Sequence, residues 1–384
     1  MHNSRQGAFL IRRSGGWWNQ ALLKDVGIVP YILHKNYGFR AVLVGSGSRS
    51  VLVGGGKLSR DRFPYLDKYV RGLEMDFIPE NTLQARLEYI NAHADEMDLM
   101  IVHGAHSEYI PIVEHYRRVR PDGKIYLATD MNIGWASKLP HMNPDYEKFI
   151  KSCDVIAASC RETQKYISVR WRVPVDLIRN GWYNFPQVSF DNLFEQKENI
   201  ILTVGRISNL LKRNQDLLEA FAKVSSKLPD WSVRFVGKIS DEFKPYIENF
   251  FAIYPNLRER VIFTGLIEDK AALMNEYKRA KIFCLTSTRE GGTPNVVAEA
   301  LFAGDFMVCS SFDAAYEATD YDKCGRVFPI GNVSALANIF LEICHDTNLL
   351  LKGGQHSVEY ARMNFDSEHI VAKLHYLLYG GDKQ

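Results

Sequence analysis

The sequence has no apolar run long enough to cross a membrane. A membrane-spanning helix needs about 18 or more consecutive apolar residues, and no such stretch occurs. Residues 1–20 hold only a four-residue apolar run, residues 8–11, before Arg12 and Arg13, which is too short for the apolar region of a secretory signal. We therefore expect a cytoplasmic protein, with peripheral attachment to the inner face of a membrane as a further option.

Cysteine is scarce and scattered along the chain. Zinc sites and disulfide frameworks depend on paired cysteines at characteristic spacings, and no closely spaced pair occurs here. Most of the cysteines lie in apolar runs, so we interpret them as small buried apolar side chains in a reducing compartment. The six are Cys153, Cys160, Cys284, Cys309, Cys324 and Cys344.

Neither sign of charge is in large excess, since the formal net charge is +2. The chain has no long basic run and no known nucleic-acid motif, so we expect no nucleic-acid partner. Residues 1–185 carry 25 Lys and Arg against 19 Asp and Glu, whereas the remainder carries 22 against 26. This imbalance fits either chance surface variation or a basic first half that faces a membrane surface or an acidic acceptor.

Short apolar runs alternate with longer amphipathic stretches, which is typical of α/β domains with mostly parallel sheets. In the first half we predict strands at 8–11, 40–44, 99–102, 124–128 and 155–158, with helices at 19–35, 110–119 and 161–170. In the second half we predict strands at 200–204, 232–236, 260–264, 281–285 and 305–309, with helices at 215–228 and 366–378. Pro30 is expected to break or bend the first helix.

The length of 384 residues favours two domains. A polar stretch over residues 183–199 divides the pattern. We predict a first domain over 1–185, a linker over 186–199, a second domain over 200–365, and a final segment over 366–384 that packs back on the first domain. Two α/β halves with one linker form a cleft, the usual place for a small ligand.

The most informative segment is residues 287–301, which reads STREGGTPNVVAEAL and follows a predicted strand. Thr293 suits the N-cap of the next helix, and Pro294 suits its first position. The free amides and positive dipole at that helix end favour a phosphate or a sugar oxygen. Asn295 and Glu299 are four residues apart and so share one helix face.

Glu290 lies on the loop before this helix. Together with Glu299 it places two carboxylates near an anion-binding helix end, where they are suited to accept hydrogen bonds from sugar hydroxyls. The alternative is an ordinary capped loop with a solvent-facing Glu299.

A second polar group follows the first strand of the second half. Gly205 and Arg206 end that strand and Lys212 comes shortly after. A glycine turn with two cations suits a diphosphate clamp, although the cations could also be solvated surface residues. In the first half, Gly15 and Gly16 follow the first strand and would allow close approach of a ligand, as they would in a plain turn.

Together these residues resemble glycosyltransferase family four. The second half carries "TVGRI" at 203–207, Lys212, "NQDLLEAF" at 214–221, "VIFTG" at 261–265, and "S-x-x-E-G…P…EAL-x-x-G" at 287–304. The first half is similar more loosely, through Gly15-Gly16 and "IRNG" at 178–181. The resemblance covers almost the whole chain.

The resemblance implies an α/β GT-B fold, in which two Rossmann-like domains with parallel sheets face a central cleft. It further implies a retaining glycosyltransferase that uses a nucleotide-diphosphate sugar, UDP- or GDP-linked, without metal or other cofactor. Arg206 and Lys212 would bind the diphosphate, Glu299 the ribose, Glu290 the transferred sugar, and Gly15-Gly16 the phosphates. Gly205, Ser287, Gly292, Thr293 and Asn295 belong to the expected donor pocket.

The chain departs from the family in three places. Eight residues rather than seven separate Glu290 from Glu299, and the surplus falls at Gly291-Gly292. The turn at 180–183 reads Asn-Gly-Trp-Tyr instead of Asn-Gly-x-Asp. Where many members have a histidine after the strand at 124–128, this chain has Asp130, which would accept a hydrogen bond from a donor or acceptor hydroxyl, or would simply end the strand.

Other candidate residues are weaker. His103 and His106 end another strand and are either acceptor contacts or satisfied loop histidines, and the pair Trp17-Trp18 would stack on an acceptor sugar or pack internally. Asp320-Tyr321-Asp322 has the form of a metal-binding Asp-x-Asp, but no strong strand precedes it. Residues 54–57 lack the first glycine and the Ser or Thr of a phosphate loop, and Gly45-Ser46-Gly47 lacks the third glycine of a dinucleotide motif.

We therefore expect a glycosyltransferase of polysaccharide, glycolipid or glycoconjugate synthesis, with a sugar, lipid-linked or protein acceptor. Three alternatives remain. One is an epimerase of the same fold, which needs no acceptor, and another is a phosphorylase of the same fold, which needs free phosphate. The third is a non-catalytic subunit that binds nucleotide sugar.

Overall fold

The computed structural model describes residues 6–13, 17–46 and 63–380. Gly15 and Gly16 lie outside these residues, as do Gly47 and residues 54–57. Contacts within the chain divide it into two units. Unit 1 ends at Tyr183 and resumes at Asp366, and unit 2 comprises Asn184–Phe365.

The strands of unit 1 are β1 (Gly7–Ile11), β2 (Arg40–Ser46), β3 (Glu74–Ile78), β4 (Leu99–His103), β5 (Lys124–Ala128), β6 (Val155–Ala158) and β7 (Asp176–Leu177). In the described part of the chain they form one seven-stranded sheet in the order β3-β2-β1-β4-β5-β6-β7. Every neighbouring pair is parallel.

The helices of unit 1 connect these strands, and one follows the return of the chain from unit 2. They are α1 (Asp25–Tyr37), α2 (Pro64–Lys68), α3 (Leu83–His93), α4 (Ile110–Val119), α5 (Ile133–Ala136), α6 (Pro144–Lys151), α7 (Arg161–Trp171) and, after unit 2, α15 (Ser367–Tyr379).

The strands of unit 2 are β8 (Glu198–Val204), β9 (Ser232–Val236), β10 (Val261–Gly265), β11 (Ala280–Leu285), β12 (Phe306–Ser310) and β13 (Gly325–Phe328). They form a six-stranded parallel sheet in the order β10-β9-β8-β11-β12-β13.

The helices of unit 2 are α8 (Asn214–Val224), α9 (Lys244–Ile253), α10 (Lys270–Arg279), α11 (Asn295–Phe302), α12 (Ala315–Ala318), α13 (Val333–Cys344) and α14 (Thr347–Asn364). Short 3-10 turns also occur in both units, at Asn19–Leu23, Ala94–Glu96, Ser107–Tyr109, Leu193–Gln196, Asp241–Phe243 and Pro255–Leu257. None of the described helices is long and apolar enough to span a membrane.

The apolar runs seen in the sequence are the central strands, which are buried on both faces. Phe9 and Ile11 of β1 pack with Val102 and Leu127 in one core cluster, and Leu10, which points to the opposite face, is buried as well. Strands covered on both faces are continuous in apolar character rather than alternating, and this explains why the pattern predicted parallel sheets.

Both sheets have the same strand order. In each, the first strand lies between the second and the fourth. The second and third strands therefore lie on one side of the first strand, and the later strands lie on its other side, beginning with β4 and β11. Loops leave these two strands in opposite directions at their carboxyl ends, and a crevice opens between them, which is where open α/β sheets bind ligands. The topology thus positions one candidate site in each unit.

Several predicted elements differ from the observed ones. The strands β3, β7 and β13 were not predicted, because β3 is an edge strand with Glu74 and Asp76, β7 has only two residues, and β13 includes Arg326. The strand β8 begins at Glu198, inside the segment 186–199 predicted as a linker.

Pro30 was expected to break or bend the first helix, and it does not break it, because α1 continues through this residue. A proline removes one N–H donor from a helix and crowds the preceding turn. Pro30 is buried together with Ile28, Ile32 and Leu33 of the same helix, and this packing outweighs the local preference.

Five of the six cysteines are buried, as predicted. All six are free, Cys153 is half-buried, and the other five are buried. Burial raises the pKa of the Cys153 and Cys324 thiols to about 12, so these side chains behave as small apolar groups rather than as thiolates.

Lys197 and Asp305 form a buried ion pair in unit 2. The Nζ atom lies 2.5 Å from Asp305 Oδ1, and the two side chains are 5% and 0% exposed. Nζ also donates to the carbonyl oxygens of Ala303 and Tyr277. Burial raises the pKa of the carboxyl and lowers that of the ammonium, and their attraction opposes both shifts. The pair ties the start of β8 to the residues just before β12.

We expect Asp305→Asn to destabilise the full chain by about 3–5 kcal/mol, because it leaves the Lys197 ammonium buried without a counter-charge. Urea unfolding followed by circular dichroism measures the effect as a lower midpoint. Asp241→Asn, which removes an exposed partner of Lys244, is the matched control and should leave the midpoint unchanged. Equal midpoints for the two variants would show that the buried pair contributes nothing to stability.

Candidate functional site

The crevice of unit 2 lies between the ends of β8 and β11. It is a pocket of about 200 Å³ that is open to solvent. Its lining includes four of the residues predicted for the donor site, namely Gly205, Arg206, Lys212 and Ser287.

Two glycines shape the backbone at the end of β8. Gly205 has a φ of 142°, and Gly237, at the end of β9, has a φ of 144°. A Cβ atom on Gly237 would lie 1.8 Å from the carbonyl oxygen of Gly205, so no larger residue fits there without a shift of the backbone. The close approach of these two glycines fixes where the loop turns away from the sheet.

The loop from Gly205 to α8 is held by its own hydrogen bonds. Asn214 accepts a hydrogen bond at Oδ1 from the Ser208 N–H (2.8 Å), and its own N–H donates to the Ser208 carbonyl (3.1 Å). Thr286 Oγ1, just after β11, donates to the Lys212 carbonyl (2.6 Å). The Thr288 N–H donates to the carbonyl of Leu211 (2.8 Å). The backbone that carries Lys212 is therefore anchored from both sides of the crevice.

Lys212 and Glu290 meet across this crevice. The ammonium Nζ lies 2.5 Å from Glu290 Oε1, and the side chains are 26% and 12% exposed. Arg206 is exposed and has no ion pair with any residue of the described part of the chain. The pocket therefore carries one cation paired with a carboxylate and one cation open to solvent, which suits a multivalent anion.

The helix α11 begins one residue later than predicted. Thr293 is not its N-cap and Pro294 is not its first residue, because Pro294 has an extended ψ of 145° and serves as the N-cap. The first helical residue is Asn295. Gly292 has a φ of 88°, a conformation that favours glycine. The glycine backbone therefore accommodates the surplus residue of this loop. Glu290 still reaches Lys212.

Two polar atoms near the start of α11 are buried without a hydrogen-bond partner in the described structure. They are Ser287 Oγ, on a fully buried residue, and Asn295 Oδ1. The Ser287 carbonyl is occupied, since it accepts a hydrogen bond from Ser310 Oγ (2.5 Å). Buried polar groups are normally satisfied, so two unpaired oxygens at the start of this helix are unusual.

Glu299 faces a partner that the sequence did not indicate. Its Oε2 accepts a hydrogen bond from the hydroxyl of Tyr277 at 2.5 Å. Tyr277 is fully buried, and burial followed by the charge of Glu299 raises its pKa well above the usual range. The tyrosine therefore stays neutral and fixes one carboxylate oxygen, while Oε1 remains for another contact.

Unit 1 holds a second polar pocket at the ends of β4, β5 and β6. It has a volume of about 430 Å³, and its lining includes His103, Asp25 and Asp130. The predicted turn at 178–181 also contributes, through Arg179 and Asn180. The structure thus brings Asp130 together with His103 in unit 1.

His103 lies between two carboxylates. Its Nε2 donates to Asp25 Oδ2 at 2.9 Å and lies 3.7 Å from Asp130 Oδ2. Burial lowers the pKa of His103, but the hydrogen bond and the charge of Asp25 outweigh it, and the net shift is upward. The same pairing lowers the pKa of Asp25 against the effect of its burial. Asp130 has a φ of 38°, a left-handed conformation that is uncommon outside glycine and that directs the chain at the end of β5.

His106, and Asp320 of the Asp-x-Asp segment, each contact neighbouring side chains. His106 packs against the ring of Trp135, with ring centroids 4.7 Å apart, and burial and Arg13 lower its pKa. Asp320 Oδ2 accepts hydrogen bonds from His356 Nε2 (2.7 Å) and Lys323 Nζ (3.2 Å). Within the described ranges no three His, Cys, Asp or Glu side chains are arranged to hold a metal ion.

Sequence reasoning missed three residues, namely Asp25 in the pocket of unit 1, Tyr277 beside Glu299, and Arg12 at the end of β1. Arg12 follows β1 directly and Asp25 begins the next helix, so the rule that ligands bind at the ends of the first and fourth strands would have pointed to both. No local pattern indicates Tyr277, since its contact with Glu299 depends on how α10 packs against α11.

Comparison with known proteins gives a family for part of unit 2. Residues 198–346 match the family model of the glycosyl transferases group 1. No curated protein matches the sequence significantly.

Solved structures resemble the whole chain. HepE of Anabaena, in complex with UDP, has a TM-score of 0.72 at 16% identity, over 96% of this chain and 98% of its own. Sucrose-phosphate synthase of Thermosynechococcus elongatus has a TM-score of 0.70 at 17% identity, over 97% and 98%. A glycosyltransferase of Rickettsia africae has a TM-score of 0.70 at 15% identity, over 99% and 100%. The chain therefore has the GT-B fold, and residues 198–346 are similar to the glycosyl transferases group 1.

The pKa of His103 tests the geometry of unit 1. We expect a titration by NMR of the histidine ring signals to give a value above about 6.5, the value of an unperturbed histidine. Because the folded-state pKa is raised, the stabilisation by this pair is complete below that pH and is lost as the pH rises through the folded-state value.

In Asp25→Asn the His103 pKa should fall, since its main stabilising partner has lost its charge. His115, which contacts Asn91 instead, is the control in the same spectra and should keep its pKa. An unchanged value for His103 in the variant would contradict the assigned pairing.

Proposed function

We propose that this chain is a retaining, metal-independent glycosyltransferase that transfers a sugar from a nucleotide-diphosphate sugar to an acceptor hydroxyl. The observation that carries the proposal is the meeting of Lys212 and Glu290 across the β8/β11 crevice, beside the exposed Arg206. A nucleoside diphosphate needs cations, and a sugar needs carboxylates that accept from its hydroxyls. The crevice offers both within one salt bridge.

The salt bridge holds these two groups in place until the donor arrives. A diphosphate carries more negative charge than one carboxylate, so it competes with Glu290 for the Lys212 ammonium. Glu290, once released, turns its oxygens to the hydroxyls of the transferred sugar. Arg206 and the amides at the start of α11 add to the binding of the phosphates.

The departing nucleoside diphosphate is stabilised by positive groups rather than by a bound metal. Arg206, Lys212 and the α11 amides lie where its charge develops, and fixed groups of this kind lower the barrier without reorganising. Glu299 binds the ribose through the oxygen that Tyr277 leaves available. The acceptor hydroxyl approaches on the face that the leaving group vacates, so the anomeric configuration is retained. Retention rests on the resemblance to glycosyltransferase family four, and we assign no side chain as a covalent nucleophile.

Structural neighbours support a nucleotide-sugar donor. HepE of Anabaena has been crystallised with UDP-glucose and with UDP and glucose, and TarM of S. aureus with UDP and α-GlcNAc-glycerol. For this chain we propose a UDP- or GDP-sugar as donor and a sugar, lipid-linked or protein hydroxyl as acceptor. We place Asp130 at the acceptor or donor hydroxyls and the protein in the cytoplasm.

Saturation-transfer NMR of the full chain with UDP-, GDP- and ADP-sugars tests the donor site. We expect selective binding of one donor that EDTA leaves unchanged. Binding that disappears with EDTA would contradict the metal-independent mechanism. Absence of binding to every donor would contradict the proposal and favour the phosphorylase alternative. An activity assay with free phosphate, followed by product analysis, then tests that alternative.

Two variants separate the proposed roles in unit 2. Lys212→Met should weaken donor binding by about 10- to 100-fold, because it removes a charged hydrogen-bond donor to the phosphates. Glu290→Gln should bind the free nucleotide more tightly than the wild type, because its side chain no longer competes for the Lys212 ammonium, but should lower kcat by about 100-fold, the effect typical of losing one stabilising contact at the reacting group. Lys244→Met, on an exposed pair away from the pocket, is the control. Full activity in Glu290→Gln would remove this residue from the mechanism.

A further inference from the structure

A buried tyrosine of unit 2 holds the carboxylate that the proposed function assigns to the ribose. Tyr277 lies on α10, the helix before β11, and Glu299 lies on α11, which begins after the loop that follows β11. The tyrosine hydroxyl donates a hydrogen bond to Glu299 Oε2 at 2.5 Å. Tyr277 is 0% exposed, whereas Glu299 is half-buried. The contact thus joins a buried hydroxyl to a residue that is still partly open to solvent.

The position of this tyrosine is fixed by the core of unit 2. Its ring packs against that of Phe283 on β11, with ring centroids 5.6 Å apart. Its carbonyl oxygen accepts a hydrogen bond from Lys197 Nζ (3.3 Å), and the same ammonium donates to the carbonyl of Ala303 (2.6 Å), just after α11. The Ala303 N–H donates to the Glu299 carbonyl (3.2 Å). The buried ammonium therefore ties together the ends of the two helices that carry the pair.

The hydroxyl of Tyr277 acts as a hydrogen-bond donor to the carboxylate. Burial, followed by the charge of Glu299, raises the pKa of Tyr277 well above its usual range, so the hydroxyl keeps its proton at neutral pH. A hydrogen bond to an ionised acceptor is stronger than one between neutral groups, and the protein interior screens it less than water does. A free glutamate side chain loses rotamer freedom when it binds a ligand. The tyrosine removes much of that freedom beforehand, because it holds Oε2 in place.

We propose that Tyr277 determines the specificity of the donor site by acting through Glu299, so that the site selects a ribonucleotide over a deoxyribonucleotide. The inference rests on the proposed function, in which Glu299 binds the ribose. With Oε2 held by the tyrosine, Oε1 accepts a hydrogen bond from a ribose hydroxyl at a small entropic cost. A nucleotide without that hydroxyl leaves the oxygen unpaired, which is unfavourable at a site built for the hydrogen bond. Tyr277 is a positioning residue, because its hydroxyl contacts the carboxylate rather than the ligand.

Isothermal titration calorimetry of the full chain tests this selection. The probes are UDP and GDP, each with its 2′-deoxy and 3′-deoxy form. We expect the wild type to bind the ribose form of one nucleotide about tenfold or more tightly than at least one of its deoxy forms, as the loss of a hydrogen bond to a charged group implies. The deoxy form with the larger loss identifies the hydroxyl that Glu299 binds. Equal affinity of the wild type for all three forms would overturn the proposal.

Tyr277→Phe keeps the ring and removes the hydroxyl. It should reduce the preference for ribose by about three- to tenfold, because the freed glutamate must now be ordered by the ligand, and it should change the affinity for the deoxy form much less. Tyr246→Phe is the matched control, since its hydroxyl donates to Glu219 Oε1 at 2.6 Å in an exposed pair, and it should keep the wild-type preference. An unchanged preference in Tyr277→Phe would overturn the proposal.

A double-mutant cycle separates positioning from a purely structural role. Glu299→Gln, at a half-buried position, should lower the ribose preference, and adding Tyr277→Phe to it should lower the preference no further, because the hydroxyl acts through the carboxylate. Additive losses in the double variant would contradict this role. A preference that Glu299→Gln leaves unchanged would overturn the proposal even if Tyr277→Phe did not fold.

The same titrations distinguish this inference from the proposed function. A wild type that binds UDP or GDP with a preference that neither variant alters would contradict the role of Tyr277 and leave the proposed donor site intact. A wild type that binds neither nucleotide would contradict the proposed function and this role with it.

Discussion

The reversal of strand order in each sheet is the constraint on which the sites depend. Because β1 and β8 each lie between the second and fourth strands of their sheet, the loops that leave them diverge from those of β4 and β11. A crevice at the carboxyl ends is the geometric consequence. In unit 2 it brings Lys212 to Glu290, and in unit 1 it brings Arg12 to the wall that carries His103. The same strand order thus produces a polar pocket in each unit.

The two crevices differ in chemistry. That of unit 2 is small, about 200 Å³, and its cations lie on a loop that the residues following β11 anchor. That of unit 1 is larger, about 570 Å³, and combines cations with two indole rings. Phosphates need concentrated charge and backbone amides, whereas a sugar ring needs an apolar surface to stack on.

The sequence predicted the elements that depend only on the local pattern of apolar and polar residues. The strands at 124–128, 155–158 and 232–236 have the predicted bounds, because buried parallel strands are short apolar runs between turns. The polar edge strand β3 has no such signature. Packing overrode local preference at Pro30, and α11 starts after Pro294. The pairs Lys212–Glu290 and Asp25–His103 each join residues 78 positions apart, so only the topology brings them together.

The most direct test of the central claim is a crystal structure of the full chain soaked with the donor nucleotide that binds best. The account predicts that the diphosphate lies in the β8/β11 crevice, with its oxygens within hydrogen-bond distance of Arg206 and Lys212, and that Glu290 has left Lys212. A diphosphate bound elsewhere, or a Lys212–Glu290 pair that stays closed beside bound nucleotide, would contradict it.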